Sequence, residues 1–164
     1  MKKMIRCVAA VDCGTTATKC ALVDLAGRMR VEATLPAAVL TAPSGCRGLD
    51  ADALCEAVLS ALAVCVADPR TAGAEILACS VTGQRASVVC LDARDRPVGP
   101  AFSWQDMRGA PELAVLRERI PDADYFRLTG LPNFPAFTLA KLLWLNAHEP
   151  VSYTHLTLPT IYSV

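Results

Sequence analysis

Residues 7–36 leave few folds open. Cys7–Val11 is a continuous apolar run and Lys19–Asp24 (KCALVD) is a second short extended stretch. Arg28–Pro36 then alternates, with Met29, Val31, Ala33 and Leu35 on one face and Arg30, Glu32 and Thr34 on the other. Polar, glycine-containing turns separate the three: Asp12-Cys13-Gly14-Thr15-Thr16 and Leu25-Ala26-Gly27. Strands joined by connections this short pair with their sequence neighbours, so the chain opens as an antiparallel meander. The unbroken apolar run of the first strand predicts cover on both of its faces.

Helical and extended patterns follow in alternation. Residues 41–48 (TAPSGCRG) read as loop. A helix runs from Asp50, a plausible N-cap, to Ala67, with Leu54, Val58, Leu62 and Cys65/Val66 on one stripe, and Asp68-Pro69 ends it. Ile76–Thr82 predicts a buried strand and Ser87–Leu91 another, with a charged turn at Asp92–Pro97. Phe102-Ser103-Trp104 closes a short extended piece. Helices are expected from Gly109 to Arg119, with Leu113, Leu116 and Ile120 inward, then over Ala123–Leu128 and Thr138–Ala147, with a Gly/Pro loop at Thr129–Pro135. The class is α/β.

Composition narrows the functions. The 164 residues fit one domain, and 16 Lys+Arg balance 16 Asp+Glu, which argues against a nucleic-acid or anionic-membrane partner. With 53% hydrophobic and 20% charged residues the chain can build a core. The eight cysteines (7, 13, 20, 46, 55, 65, 79, 90) form no C-x-x-C pair, and His148 and His155 lie far from them, so no zinc site is expected. Cys20, Cys55, Cys65, Cys79 and Cys90 fall in apolar runs, the pattern of reduced, buried thiols in a cytoplasmic protein. After Met1-Lys2-Lys3 the apolar run Cys7–Val11 stops at Asp12, and five residues are too few for a signal peptide; no run is long enough for a membrane helix.

The last fourteen residues, VSYTHLTLPTIYSV, contain no Asp, Glu, Lys, Arg, Ala or Gly. Val151–Thr160 reads as the translation of a transposon-type sequencing adapter. Residues 1–150 are therefore expected to be the natural domain, 151–164 a non-native tail, and the gene to continue beyond Pro150.

Asp12-x-Gly14-Thr15-Thr16-x-x-Lys19 is the first motif with chemical content. A carboxylate at a strand end can orient Mg2+ through water, and turn amides with threonine hydroxyls can form an anion nest. An ordinary polar hairpin turn fits the same residues. Gln84 and Arg85 follow a strand, where open sheets place ligands. Arg85 could donate to hydroxyls or be a surface arginine. Trp104 could form an apolar wall or pack in the core, and Asp106 could accept hydroxyl hydrogen bonds or pair with Arg108. Trp144 and Phe137 read as core.

Asp12-Cys13-Gly14-Thr15-Thr16, the meander, Thr82-Gly83-Gln84-Arg85, Trp104-Gln105-Asp106-Met107-Arg108 and Phe137-x-x-x-Lys141-Leu142-Leu143-Trp144 occur in this order. Residues 4–150 thereby resemble the amino-terminal domain of the FGGY carbohydrate kinases, the family of xylulokinase, sedoheptulokinase and glycerol kinase. The resemblance implies a truncated ribonuclease-H-like fold of the actin/hexokinase type, a mixed sheet opening with the meander and flanked by helices. It implies ATP and Mg2+ as cofactors, with Asp12, Gly14, Thr15, Thr16 and Lys19 facing the phosphates and Asp12 the metal. Lys19 fits equally as a solvated strand charge. Gln84, Arg85, Trp104 and Asp106 would face a small sugar or polyol. The resemblance leaves room for a homodimer of the full-length protein. Its catalytic base, adenosine pocket and second domain would lie beyond residue 164, leaving the fragment inactive. Arg85-Ala86 stands where glycerol kinases carry Arg-Glu and xylulokinases Met-His, and Ala136-Phe137 where glycerol kinases carry a tyrosine. The Trp-Gln-Asp-x-Arg form is similar to that of sedoheptulokinase-like enzymes. A non-enzymatic ATP-binding module of the same superfamily is the alternative.

Overall fold

The computed structural model of the chain describes residues 4–37, 39–41 and 47–149. The expectations for Met1–Lys3, for Cys46 and for the tail 151–164 lie outside these residues. The chain divides into two compact units, the first built from segments 1–39 and 50–84, the second from 40–49 and 85–164.

In the first unit the meander forms as its pattern predicts: β1 (Arg6–Cys13), β2 (Ala17–Asp24) and β3 (Met29–Pro36) pair antiparallel. Asp24 closes the second turn by accepting from the amides of Ala26 and Arg28, both at 2.9 Å, and also pairs with Arg30. α1 (Ala51–Ala67) begins where expected, the Asp50 carboxylate accepting from the Ala53 amide at 2.9 Å. Asp68 ends it and starts a single 3-10 turn, Pro69–Thr71. β6 (Glu75–Gly83) then returns to pair parallel with β1, giving the order β3-β2-β1-β6.

α1 packs on β1, β2 and β3, and the core lies between them: Cys7, Ala9, Val11, Cys20, Leu22, Val31, Ala61 and Cys65. Leu22 is fully buried, which stabilises the fold by about 2 kcal/mol. Two expectations need correction here. β1 is covered on one face only, Ala10 and Asp12 being exposed on the other, because among the described residues a single helix packs on this sheet. β6 was expected to be buried, yet every residue of it is exposed. It sits at the sheet edge, and α1 reaches over β1–β3 but not over it. Cys79 on β6 and Cys55 on α1 are accordingly exposed, unlike Cys7, Cys13, Cys20, Cys65 and Cys90. Burial, with Cys65 alongside, pushes the Cys20 thiol up to about 12.

The second unit holds a small sheet in the order β4-β5-β7: β4 (Val39–Thr41), which begins one residue before the unit boundary, β5 (Arg47–Leu49) and β7 (Ala101–Phe102). The stretch read as loop from 41 to 48 thus carries a strand end on each side. Ser87–Leu91 does not form a strand. It contributes isolated bridges, Val88 to Phe102 and Leu91 to Pro97. The helices α2 (Ala110–Arg119), α3 (Asp122–Thr129) and α4 (Thr138–His148) match the expected positions. A small core gathers Cys90, Phe102 and Leu145 with Val88, Leu142 and Trp144.

Candidate functional site

The first unit carries a polar constellation at the carboxyl end of β1. Asp12, the next-to-last residue of that strand, is exposed on the face away from α1. The register sets it opposite Lys19 of β2 on one side and Thr82 of β6 on the other. These three and Glu32 line a shallow depression of about 220 Å³. The Asp12 carboxylate makes no hydrogen bond or ion pair with the described residues. Burial, and secondarily the Asp12 charge, pushes the adjacent Cys13 thiol up.

The turn after β1 is tight because of its glycine. The Gly14 amide donates to the Ala17 carbonyl at 3.0 Å, and a Cβ at position 14 would stand 2.9 Å from that oxygen. Thr15 and Thr16 complete the turn, and the Thr16 carbonyl accepts from the Ala37 amide at 2.9 Å. Gln84, the first residue past β6, reaches across to this turn: its Nε2 donates to the Gly14 carbonyl at 3.1 Å. Its Oε1 is buried without a partner. An unengaged carboxylate and an orphaned amide oxygen beside one turn are hard oxygen donors, a set that fits water-mediated Mg2+. The unit thus brings together Asp12, Gly14, Thr15, Thr16, Lys19 and Gln84.

The second unit holds Arg85, Trp104 and Asp106. Arg85 is exposed, and the residue after it, Ala86, has a positive φ of 59°. Trp104 is 42% exposed. Asp106 had two readings, an acceptor for hydroxyls or a partner of Arg108, and its carboxylate is 1% exposed. It accepts from the amides of Arg47 and Arg108, each at 3.1 Å, and pairs with the Arg108 guanidinium at 3.0 Å. The alternative reading, a structural ion pair, describes this geometry. Arg108 in turn lies against two aromatic faces, its Cζ 4.4 Å from the ring centres of both Phe102 and Trp144. Trp144 stacks on His148 at 4.9 Å, and His148 Nε2 lies 2.8 Å from Glu112. Phe137 packs edge-on against Phe134.

In the sequence Lys141 stands out only as part of a motif. It lies on α4, is 1% exposed, and its Nζ donates to the carbonyl oxygens of Ala86, at 2.8 Å, and Ala136. Burial lowers its pKa, while the Asp106 charge opposes the shift. A signal existed: a lysine inside the apolar run Thr138–Ala147 is a charge on a helix with little room for one.

The family model for the FGGY family of carbohydrate kinases, N-terminal domain, matches residues 7–162. A xylulose kinase of Streptomyces coelicolor is 36% identical over 145 residues, covering 87% of this chain and 29% of that protein. A glycerol kinase of Trichlorobacter lovleyi is 31% identical over 144 residues, again 87% of this chain and 29% of that one. The crystal structure of xylulose kinase from Rhodospirillum rubrum superposes with a TM-score of 0.87 at 26% identity, covering 92% of this chain and 31% of that one. The fold is the actin/hexokinase type of these kinases. The chain spans under a third of the length of the curated relatives it matches.

Proposed function

Because the chain belongs to the FGGY family of carbohydrate kinases, we propose that it is the amino-terminal part of a longer cytoplasmic protein that transfers the γ-phosphoryl group of ATP to a hydroxyl of a sugar or polyol. The observation that carries this reading is the hydrogen bond from Gln84 to the Gly14 carbonyl. It joins two sequence motifs seventy residues apart at one turn, which an incidental polar hairpin does not require.

In this reading Asp12, Gly14, Thr15 and Thr16 face the phosphates, with Lys19 adding positive charge at the register position opposite Asp12. Mg2+ would be held through water by Asp12 and would neutralise charge on the phosphate oxygens. Gln84 fixes the turn and leaves Oε1 as an acceptor. Arg85 donates to substrate hydroxyls and the exposed Trp104 offers an apolar wall to the carbon face of the sugar. Asp106, its oxygens engaged, shapes the segment that carries Trp104 instead of touching substrate. In the transfer the acceptor oxygen bonds to phosphorus, the bond to the ADP oxygen breaks, and the hydroxyl proton passes to a base. Positioning and charge supply most of such catalysis. The base and the adenosine pocket are assigned to the remainder of the longer protein, so the 164-residue chain alone is expected to give no sugar-dependent turnover.

Coupled assay of ADP release by the complete protein, with D-xylulose, sedoheptulose and glycerol as probes, tests the reading. Turnover dependent on one of them, lost by at least about 100-fold in Asp12→Ala, is the expected result. ATP-induced thermal stabilisation with no turnover on any acceptor would replace the kinase by a non-enzymatic nucleotide-binding module.

A further inference from the structure

Ala86 is held in a backbone conformation that a residue with a Cβ adopts at a cost, φ 59°, immediately after Arg85. Such a conformation persists where surrounding structure over-determines it. Here the surrounding structure is Lys141. Its ammonium is 1% exposed and donates to the Ala86 carbonyl at 2.8 Å, fifty-five residues away in sequence, and to the Ala136 carbonyl just before α4. A buried ammonium is expensive to desolvate, and a methionine would fill the same volume without that penalty. The two carbonyls are what the charge gains. Asp106, itself fixed by Arg108 and the Arg47 amide, contributes a negative charge that opposes the downward pull of burial on the lysine pKa.

We infer that Lys141 is a positioning residue for the acceptor side of the site: by gripping the Ala86 and Ala136 carbonyls it fixes the backbone that carries Arg85 and so sets sugar affinity. The inference rests on the kinase reading above for the word sugar, but the clamp itself is a property of this unit. Lys141 touches neither substrate nor phosphate in this scheme. Its loss therefore loosens Arg85 without altering the Asp12–Thr16 turn.

Two measurements on the complete protein test it. In Lys141→Met, amide exchange at residues 85–88 should accelerate by at least about tenfold while that of β1 and β2 is unchanged. The KM for whichever of D-xylulose, sedoheptulose or glycerol supports turnover should rise about tenfold, and the KM for ATP should stay within about twofold. Glycine takes positive φ readily, so in an Ala86→Gly background the clamp matters less, and Lys141→Met should then raise the sugar KM less than about threefold. If Lys141→Met does not fold, Lys141→Gln serves: its shorter, uncharged side chain withdraws the ammonium from both carbonyls, and the same split is expected. Unchanged exchange at 85–88, equal rises in both KM values, or an undiminished effect in the glycine background would overturn the inference. Absence of turnover in the wild type would defeat the kinase reading alone, and the exchange experiment would still decide the clamp.

Discussion

Three aspartates in this chain fold their own turns, and acid should reveal it. Asp24, Asp68 and Asp92 each accept backbone amides two or four residues ahead and pair with a following arginine: Arg30, Arg70 and Arg96. The Arg70 guanidinium and amide hold the Asp68 carboxyl at about 2, against 3.8 for the free side chain. The unfolded chain binds the proton more tightly, so the contribution of Asp68 is complete above about pH 4 and is lost as pH falls towards 2. The amides of Arg28 and Arg96 lower Asp24 and Asp92 in the same direction. Thermal unfolding between pH 5 and 2 should therefore show a shallower acid decline in Asp68→Asn than in the wild type; parallel curves would show that this turn forms without its carboxylate. At this scale the sequence was informative about which residues are polar and poorly informative about what they face. Asp106 and Asp12 look alike in sequence, each an acidic residue beside a functional motif. One is sealed under Arg108 and the other stands open on a sheet face. Arg108, two positions on, offered the pair, but how deeply it is sealed was not legible, because Arg47 and Lys141, which complete the surroundings of Asp106, lie 59 and 35 positions away.

α2 and α4 approach so closely at one point that a single methyl would force them apart. A Cβ at Gly109, the N-cap of α2, would fall 2.2 Å from the Ala140 carbonyl oxygen and 2.9 Å from the Ala140 Cβ. Backbone cannot yield as a flexible side chain would, so Gly109→Ala should destabilise the second unit by about 3 kcal/mol, at the upper end for an overpacked contact. Chemical denaturation of the variant checks this, and a loss below the usual surface range would mean the helices slide freely. The elements themselves were legible where a period or a cap exists. α1 was readable from its Asp50 cap, its apolar stripe and the Asp68-Pro69 stop; the meander from its alternation and glycine turns. β5 was not, since three residues inside a Gly/Ser-rich stretch show no period. Ser87–Leu91 had a strand's composition but lacked a continuous partner. The exposure of β6 could not be read either, because its sequence is that of a buried strand and its cover depends on where α1 lies.

Across the whole chain, pairing partners differ greatly in separation. β1, β2 and β3 are hairpin neighbours, whereas β6 joins β1 across 69 residues, from Arg6 to Glu75. Short closures form in microseconds and long ones pay more loop entropy, so the meander should gain amide protection before β6 does. Pulse-labelling exchange during refolding measures this order, and simultaneous protection of β6 and β2 would contradict it. The division of the chain has a consequence for its ancestry. The second unit takes residues 40–49 from between two stretches of the first, and β5 within them pairs Gly48 with Phe102. A crossover between genes at codon 84 would hand a descendant the later helices without the strand that β7 pairs with. An exchange of the second unit therefore has to carry residues 40–49 together with those after 84.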